Sequence, residues 1–175
     1  LKSRTLTVNG VSKAFSMTGW RIGYAAGPIE IISAMAKIQS QSTSNPTSIS
    51  QYASLEALRG KKNFLHSNNL VFLKRRNLIL DLINSAKGLK CNVPSGAFYI
   101  FPSCKDVIGL KTPTNKTIEN SADFCEYLIE QVGVATVPGI AFGLENYFRI
   151  SYATSDDNLL KAGKRIIEAC SLLKC

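Results

Sequence analysis

Apolar positions change their spacing along the chain, and the change outlines the elements. Residues 5–8 alternate as a short strand, which Gly10 is expected to break. Thr18-Gly19 marks a turn. Arg21 to Ala25 reads as a second strand, closed by Gly27-Pro28. The spacing then lengthens to three and four. Pro28 opens a predicted helix with Ile31, Met35 and Ile38 on one face. The polar stretch from Gln39 to Asn45 ends at Pro46 and reads as a loop. Thr47 or Ser48 caps the next helix, which carries Tyr52, Leu55 and Leu58 to Gly60. The longest periodic segment covers residues 61–87 and stops at Gly88, spanning roughly 40 Å at the helical rise. A helix of that length can bridge two domains. The expected division along it is 1–75 and 76–175.

After Gly88 the pattern shortens again. Cys91 to Phe101 predicts two strand pieces bent at Pro94-Ser95-Gly96, and residues 103–119 predict a loop. Ser121 to Val132 is a predicted helix stopped by Gly133, with Phe124, Leu128 and Val132 on one face. Val134 to Val137 and Tyr147 to Ala153 are predicted strands. Ser155 caps a last helix with Asp156 and Asp157 in its first turn and a stripe of Leu159, Gly163, Ile166 and Cys170.

The second half therefore reads as a small α/β unit. The first half offers two strands followed by helices, and two lone strands cannot bury both faces of a sheet. They are expected to belong to a larger sheet. Together with an opening Leu1 in place of Met, this predicts a piece of a longer protein.

Composition narrows the function classes. Apolar residues make up 45% of the 175, enough for a packed core, and no apolar run approaches the length of a membrane span. The five cysteines (91, 104, 125, 170 and 175) are odd in number and form no CxxC pair, as expected of free thiols in a reducing, cytoplasmic setting. No zinc or other metal pattern is present. The formal net charge of +9 raises the question of nucleic acid, but the basic residues form only short clusters at Lys61-Lys62 and Lys74-Arg75-Arg76, without stacking aromatics. A solvated surface accounts for them. His66, the sole histidine, lies on the long helix and is expected at the surface.

The segment Ser12-Lys13-Ala14-Phe15-Ser16-Met17-Thr18-Gly19-Trp20-Arg21-Ile22-Gly23-Tyr24 holds the candidate chemistry. A lysine just past a strand can point into a cleft, and an arginine eight residues on, beyond a tight turn, can face the same cleft. Two such cations suit an anionic ligand, and a lysine amine is a nucleophile toward carbonyls. Ordinary solvation of both is the competing reading. Trp20 and Tyr24 are expected to pack in a core or an interface. In the strand around Arg149, alternation sets Arg149, Ser151 and Ala153 on one face and Phe148, Ile150 and Tyr152 toward a core. From spacing alone, a structural ion pair would equally explain Arg149.

Ser-Lys-x-x-x-Met-Thr-Gly-Trp-Arg-x-Gly-Tyr resembles the cofactor-lysine segment of class I and II aminotransferases of fold type I, the aspartate aminotransferase family. Further similar segments follow in the family's order: Gly27-Pro28, Asn45-Pro46-Thr47-Ser48-Ile49-Ser50-Gln51, Pro94-Ser95-Gly96-Ala97-Phe98-Tyr99, Val137-Pro138-Gly139, Phe142-Gly143 and Phe148-Arg149-Ile150-Ser151-Tyr152-Ala153. The resemblance implies the C-terminal portion of that α/β fold: the end of the large-domain sheet with its helices, a long linking helix, and a small α/β domain. It implies pyridoxal 5'-phosphate as cofactor. Lys13 would hold it covalently, Arg21 would bind its phosphate, and Arg149 would bind the substrate α-carboxylate. It further implies transfer of an amino group between an amino acid, aspartate foremost, and a 2-oxo acid, by a homodimer. Broad-specificity, aromatic or kynurenine-type transaminases remain open, as does the aminotransferase-like domain of a transcription regulator. One position departs from the pattern: many members carry a phosphate-binding serine three residues before the lysine, where Gly10 stands here. The family's remaining cofactor ligands precede this segment, so the 175 residues alone are expected to be inactive.

Overall fold

A computed structural model describes all of residues 1–175. The chain divides into two compact units, Leu1–Asn68 and Asn69–Cys175. No helix is long and apolar enough to cross a membrane.

In the first unit, β1 (Thr7–Gly10) pairs antiparallel with β2 (Gly23–Ala26), Gly10 opposite Gly23. Gly10 thus joins the ladder it was expected to break. The strands come so close here that a Cβ on Gly10 would sit 3.0 Å from the Ile22 carbonyl oxygen, so a glycine serves the pairing. Helices α1 (Ile29–Ser42) and α2 (Ser48–Arg59) follow, and α3 (Asn63–Ser85) begins. Pro28 stands at the N-cap of α1, where its missing N–H costs nothing. Yet no residue of α1 is buried: Ile29 and Ile38 are 71% and 70% exposed. Both faces of the two-stranded sheet are open as well. His66 is exposed as expected. Trp20 and Tyr24, expected to pack, each keep about two-fifths of their surface accessible, at 42% and 41%.

The second unit has a continuous core. The later half of α3 contributes Ile79, Leu80 and Ile83. Helix α4 (Ser121–Val132) adds Phe124 and Leu128, and α5 (Asp156–Ser171) adds Leu159, Ile166 and Cys170. The sheet has the order β3-β5-β4, with β3 Tyr99–Ile100, β4 Val137–Pro138 and β5 Phe148–Ser151, all antiparallel. The inward residues Ile100, Phe148 and Ile150 are buried in this core. Helix α4 starts at Asn120, whose Oδ1 accepts from the amides of Ala122 and Asp123, and ends at Gly133 in the left-handed region. Helix α5 is capped by Ser155 Oγ, which accepts from the Asn158 amide at 3.2 Å. Gly163 lets α5 approach α3, since a Cβ there would lie 2.5 Å from Leu82 Cδ1. Of the two strand pieces expected within 91–101 one is missing and the other is short, and the strand expected at 134–137 is shortened too. Only Tyr99–Ile100 pairs within residues 91–101, because Ala97 turns the chain through a positive φ of 61°. Val134 to Thr136 runs unpaired into the two-residue β4.

Candidate functional site

Lys13 and Arg21 lie on one loop, the connection between β1 and β2. Its base is fixed by backbone: the Val11 amide donates to the Ile22 carbonyl at 3.4 Å, and the Val11 and Ile22 side chains are buried. Lys13 stands two residues beyond this closure on one side, and Arg21 one residue before it on the other. Two short turns fold the loop. Ser16 N–H donates to the Lys13 carbonyl at 3.1 Å, and Trp20 N–H donates to the Met17 carbonyl at 3.2 Å. Phe15 docks on Phe64 of α3, ring centroids 6.2 Å apart. Both Lys13 and Arg21 side chains are exposed.

Arg21 does not open the strand, as alternation predicted. It ends the 3-10 turn Thr18–Trp20 in the left-handed region (φ 57°, ψ 45°), and β2 begins two residues later. Left-handed backbone at a non-glycine residue costs about a kcal/mol or more, and such residues cluster at functional sites. Here it lets the side chain fold back, so that Arg21 Nη1 donates to the Thr18 carbonyl at 3.0 Å. One N–H of the guanidinium is used in this way; its other donors are available to an anion.

Arg149 belongs to the second unit, in the central strand β5 and opposite Val137 of β4. Its half-buried side chain lies on the sheet face away from the core, as alternation predicted: Phe148, Ile150 and Tyr152 are buried, whereas Ser151 and Ala153 are exposed. The ion pairs of the chain are Lys74–Asp156, Arg75–Asp156 and Lys116–Glu126. None involves Arg149, so the structural ion pair that spacing allowed is not made. Its Cζ instead sits over the Tyr99 ring at 4.3 Å and over the Phe142 ring at 4.6 Å. Both aromatics fall within the family-like motifs, yet nothing in the sequence connects them with Arg149. That connection depends on strand order, which no local pattern reveals.

The loop presents a lysine and an arginine at its pinned base, and β5 separately presents an arginine without an acidic partner; each is chemically suited to an anionic ligand. The chain belongs to the class I and II aminotransferase family, whose model matches residues 2–166. It is 57% identical over 173 residues to an aspartate aminotransferase of Rhizobium meliloti strain 1021, covering 99% of this chain and 42% of that protein. A probable aspartate/prephenate aminotransferase of Rhizobium leguminosarum bv. phaseoli is 55% identical, with 99% and 44% covered. Among solved structures, the aspartate aminotransferase from Rhizobium meliloti superposes with a TM-score of 0.97 at 56% identity, covering 99% of this chain and 44% of that one. The chain thus has the mixed α/β fold of a portion of a fold type I aminotransferase, and it spans about two-fifths of the length of the curated relatives it matches.

The family depends on pyridoxal phosphate. The residues present fit that group: an exposed primary amine on Lys13 suits an aldehyde, and the remaining donors of Arg21 suit a phosphate dianion. Gly10 offers no side chain to a phosphate, and the tight contact with Ile22 leaves little room for one.

Proposed function

We propose that this chain is the C-terminal portion of a pyridoxal-phosphate-dependent aminotransferase that moves an amino group between aspartate and a 2-oxo acid. In this reading Leu1–Asn68 is the end of the large domain and Asn69–Cys175 holds the small one. Lys13 Nζ holds the cofactor covalently. Its amine would also be the group that takes up and returns a proton at the substrate α-carbon. Arg21 holds the cofactor phosphate with its planar fork of donors. Arg149 takes the substrate α-carboxylate, and its place on a paired strand keeps the guanidinium fixed. The bound cofactor supplies the electron sink that makes the α-proton acidic.

The observation that carries this reading is the 57% identity to the Rhizobium meliloti aspartate aminotransferase, over a span that includes all three residues. The Rhizobium leguminosarum relative, a probable aspartate/prephenate aminotransferase, adds prephenate as a second candidate acceptor. The whole enzyme works as a homodimer. The five unpaired cysteines support a reducing, cytoplasmic setting. The test is an assay of aspartate transamination by the full-length protein and its Lys13→Ala variant. Turnover that requires Lys13 supports the reading, and a Lys13→Ala variant as active as the wild type refutes it.

A further inference from the structure

Arg149 is held by two aromatic rings and by no acid. The sheet explains why there are two. Tyr99 on β3 pairs with Ser151 on β5, and Arg149 is two residues from Ser151, so all three share one sheet face. On the other side of β5, β4 leads directly into the 3-10 turn Gly139–Phe142, which carries the second ring. Central placement of β5 thus gives Arg149 one aromatic neighbour from β3 and one from the turn that follows β4.

Each flank is itself braced. Tyr99 packs on Phe98 at 4.4 Å between centroids. Phe142 meets the edge of Phe101 at 5.9 Å, and Phe101 stacks on Tyr147 at 5.4 Å with planes 14° apart. The turn beneath Phe142 admits no other residue than glycine at its start. A Cβ on Gly139 would collide with the Leu144 carbonyl oxygen and lie 2.6 Å from that of Tyr147. The Gly139 amide donates to the Tyr147 carbonyl at 2.7 Å, and the Leu144 amide to the Gly139 carbonyl at 3.1 Å.

A carboxylate neighbour would also orient an arginine, but it would occupy the donors and cancel the charge. Ring faces attract the cation through their quadrupoles and accept none of its in-plane hydrogen bonds. The N–H edge keeps its full charge for an incoming planar anion.

We propose that Tyr99 and Phe142 are positioning residues of the substrate site, an aromatic clamp that fixes Arg149 and leaves its N–H edge for the α-carboxylate of amino and 2-oxo acids. This rests on Arg149 being the carboxylate ligand. The clamp acts through Arg149 and contributes to binding rather than to chemistry.

The experiment is steady-state kinetics of the full-length holoenzyme with aspartate, comparing Tyr99→Leu, Phe142→Leu, Tyr99→Phe, Phe142→Tyr and Arg149→Ala. Removing a ring is expected to raise KM for aspartate roughly tenfold, the size of a partly desolvated cation–π contact, with the loss in KM rather than kcat. The aromatic-for-aromatic changes keep a ring face beside the guanidinium and are expected to keep the wild-type KM, and a merely structural loss in the leucine variants would instead lower kcat or the folded fraction. If Phe142→Leu fails to fold, Tyr99→Leu carries the test, since its turn is not involved. Leucine variants with unchanged KM, beside a large rise in Arg149→Ala, overturn the clamp alone. An unchanged KM in Arg149→Ala overturns the carboxylate reading and the clamp with it.

Discussion

The Val11 amide and the Ile22 carbonyl close the base of the loop that carries Lys13 and Arg21, 3.4 Å apart. Val11 is fully buried and Ile22 is 9% exposed, in a unit whose helices bury almost nothing else that is apolar. This small closure, with the ring contact of Phe15 on Phe64, is what holds the two cations in register.

Val11→Ala should therefore loosen the loop. Losing the buried side chain is expected to cost roughly 1.5–3 kcal/mol of local stability. The measurable consequence is weaker pyridoxal-phosphate binding by the full-length protein in a titration followed by absorbance. Affinity equal to the wild type would show that the loop is held from elsewhere.

Much of the second unit is legible in the sequence. Gly133 and Ser155 end and start helices because each supplies a local conformation or hydrogen bond that the neighbouring residues determine. The 61–87 periodicity gave α3 to within two residues at each end. The errors came where a distant segment decides. Gly10 looked like a strand breaker, yet close approach to Ile22 makes it a strand residue. Arg21 looked extended, yet it closes a 3-10 turn in the left-handed region, which lets its side chain bond back to Thr18. Lys13, Arg21 and Arg149 could be singled out by motif, whereas Tyr99 and Phe142 acquire meaning only from the order β3-β5-β4.

Asp156 opens α5 and joins it to α3. Its carboxylate accepts from Lys74 Nζ at 2.8 Å and Arg75 Nε at 3.0 Å, and these bonds, Lys74 first, hold its pKa below the ordinary 3.8. A depressed carboxyl pKa favours the folded state above the unfolded value. The contribution is thus complete above pH 3.8 and is lost as the pH falls from there through the lowered pKa. The melting temperature of Asp156→Asn should lie below that of the wild type at neutral pH, and the gap should close as acid is added. A gap independent of pH would assign the effect to packing. The side chain is solvent-accessible, so added salt should also narrow the gap.

Thiol reactivity should separate the cysteines. Burial pushes Cys104 and Cys170 up to about 12, and it raises Cys91 and Cys125 as well, whereas Cys175 is exposed. Thiolate is the reactive form, so iodoacetamide at pH 8 should label Cys175 alone in the folded protein and all five after denaturation. Peptide mass spectrometry reads this directly. Rapid labelling of Cys104 or Cys170 under native conditions would mean that the core of the second unit opens readily.

The account depends most on Lys13. The decisive measurement is to load the full-length protein with pyridoxal 5'-phosphate, reduce with borohydride, and map the cofactor to a lysine by peptide mass spectrometry. The result predicted is a single modified peptide carrying the label on Lys13, absent from Lys13→Ala. A label on another lysine, or one that persists in Lys13→Ala, would contradict the assignment.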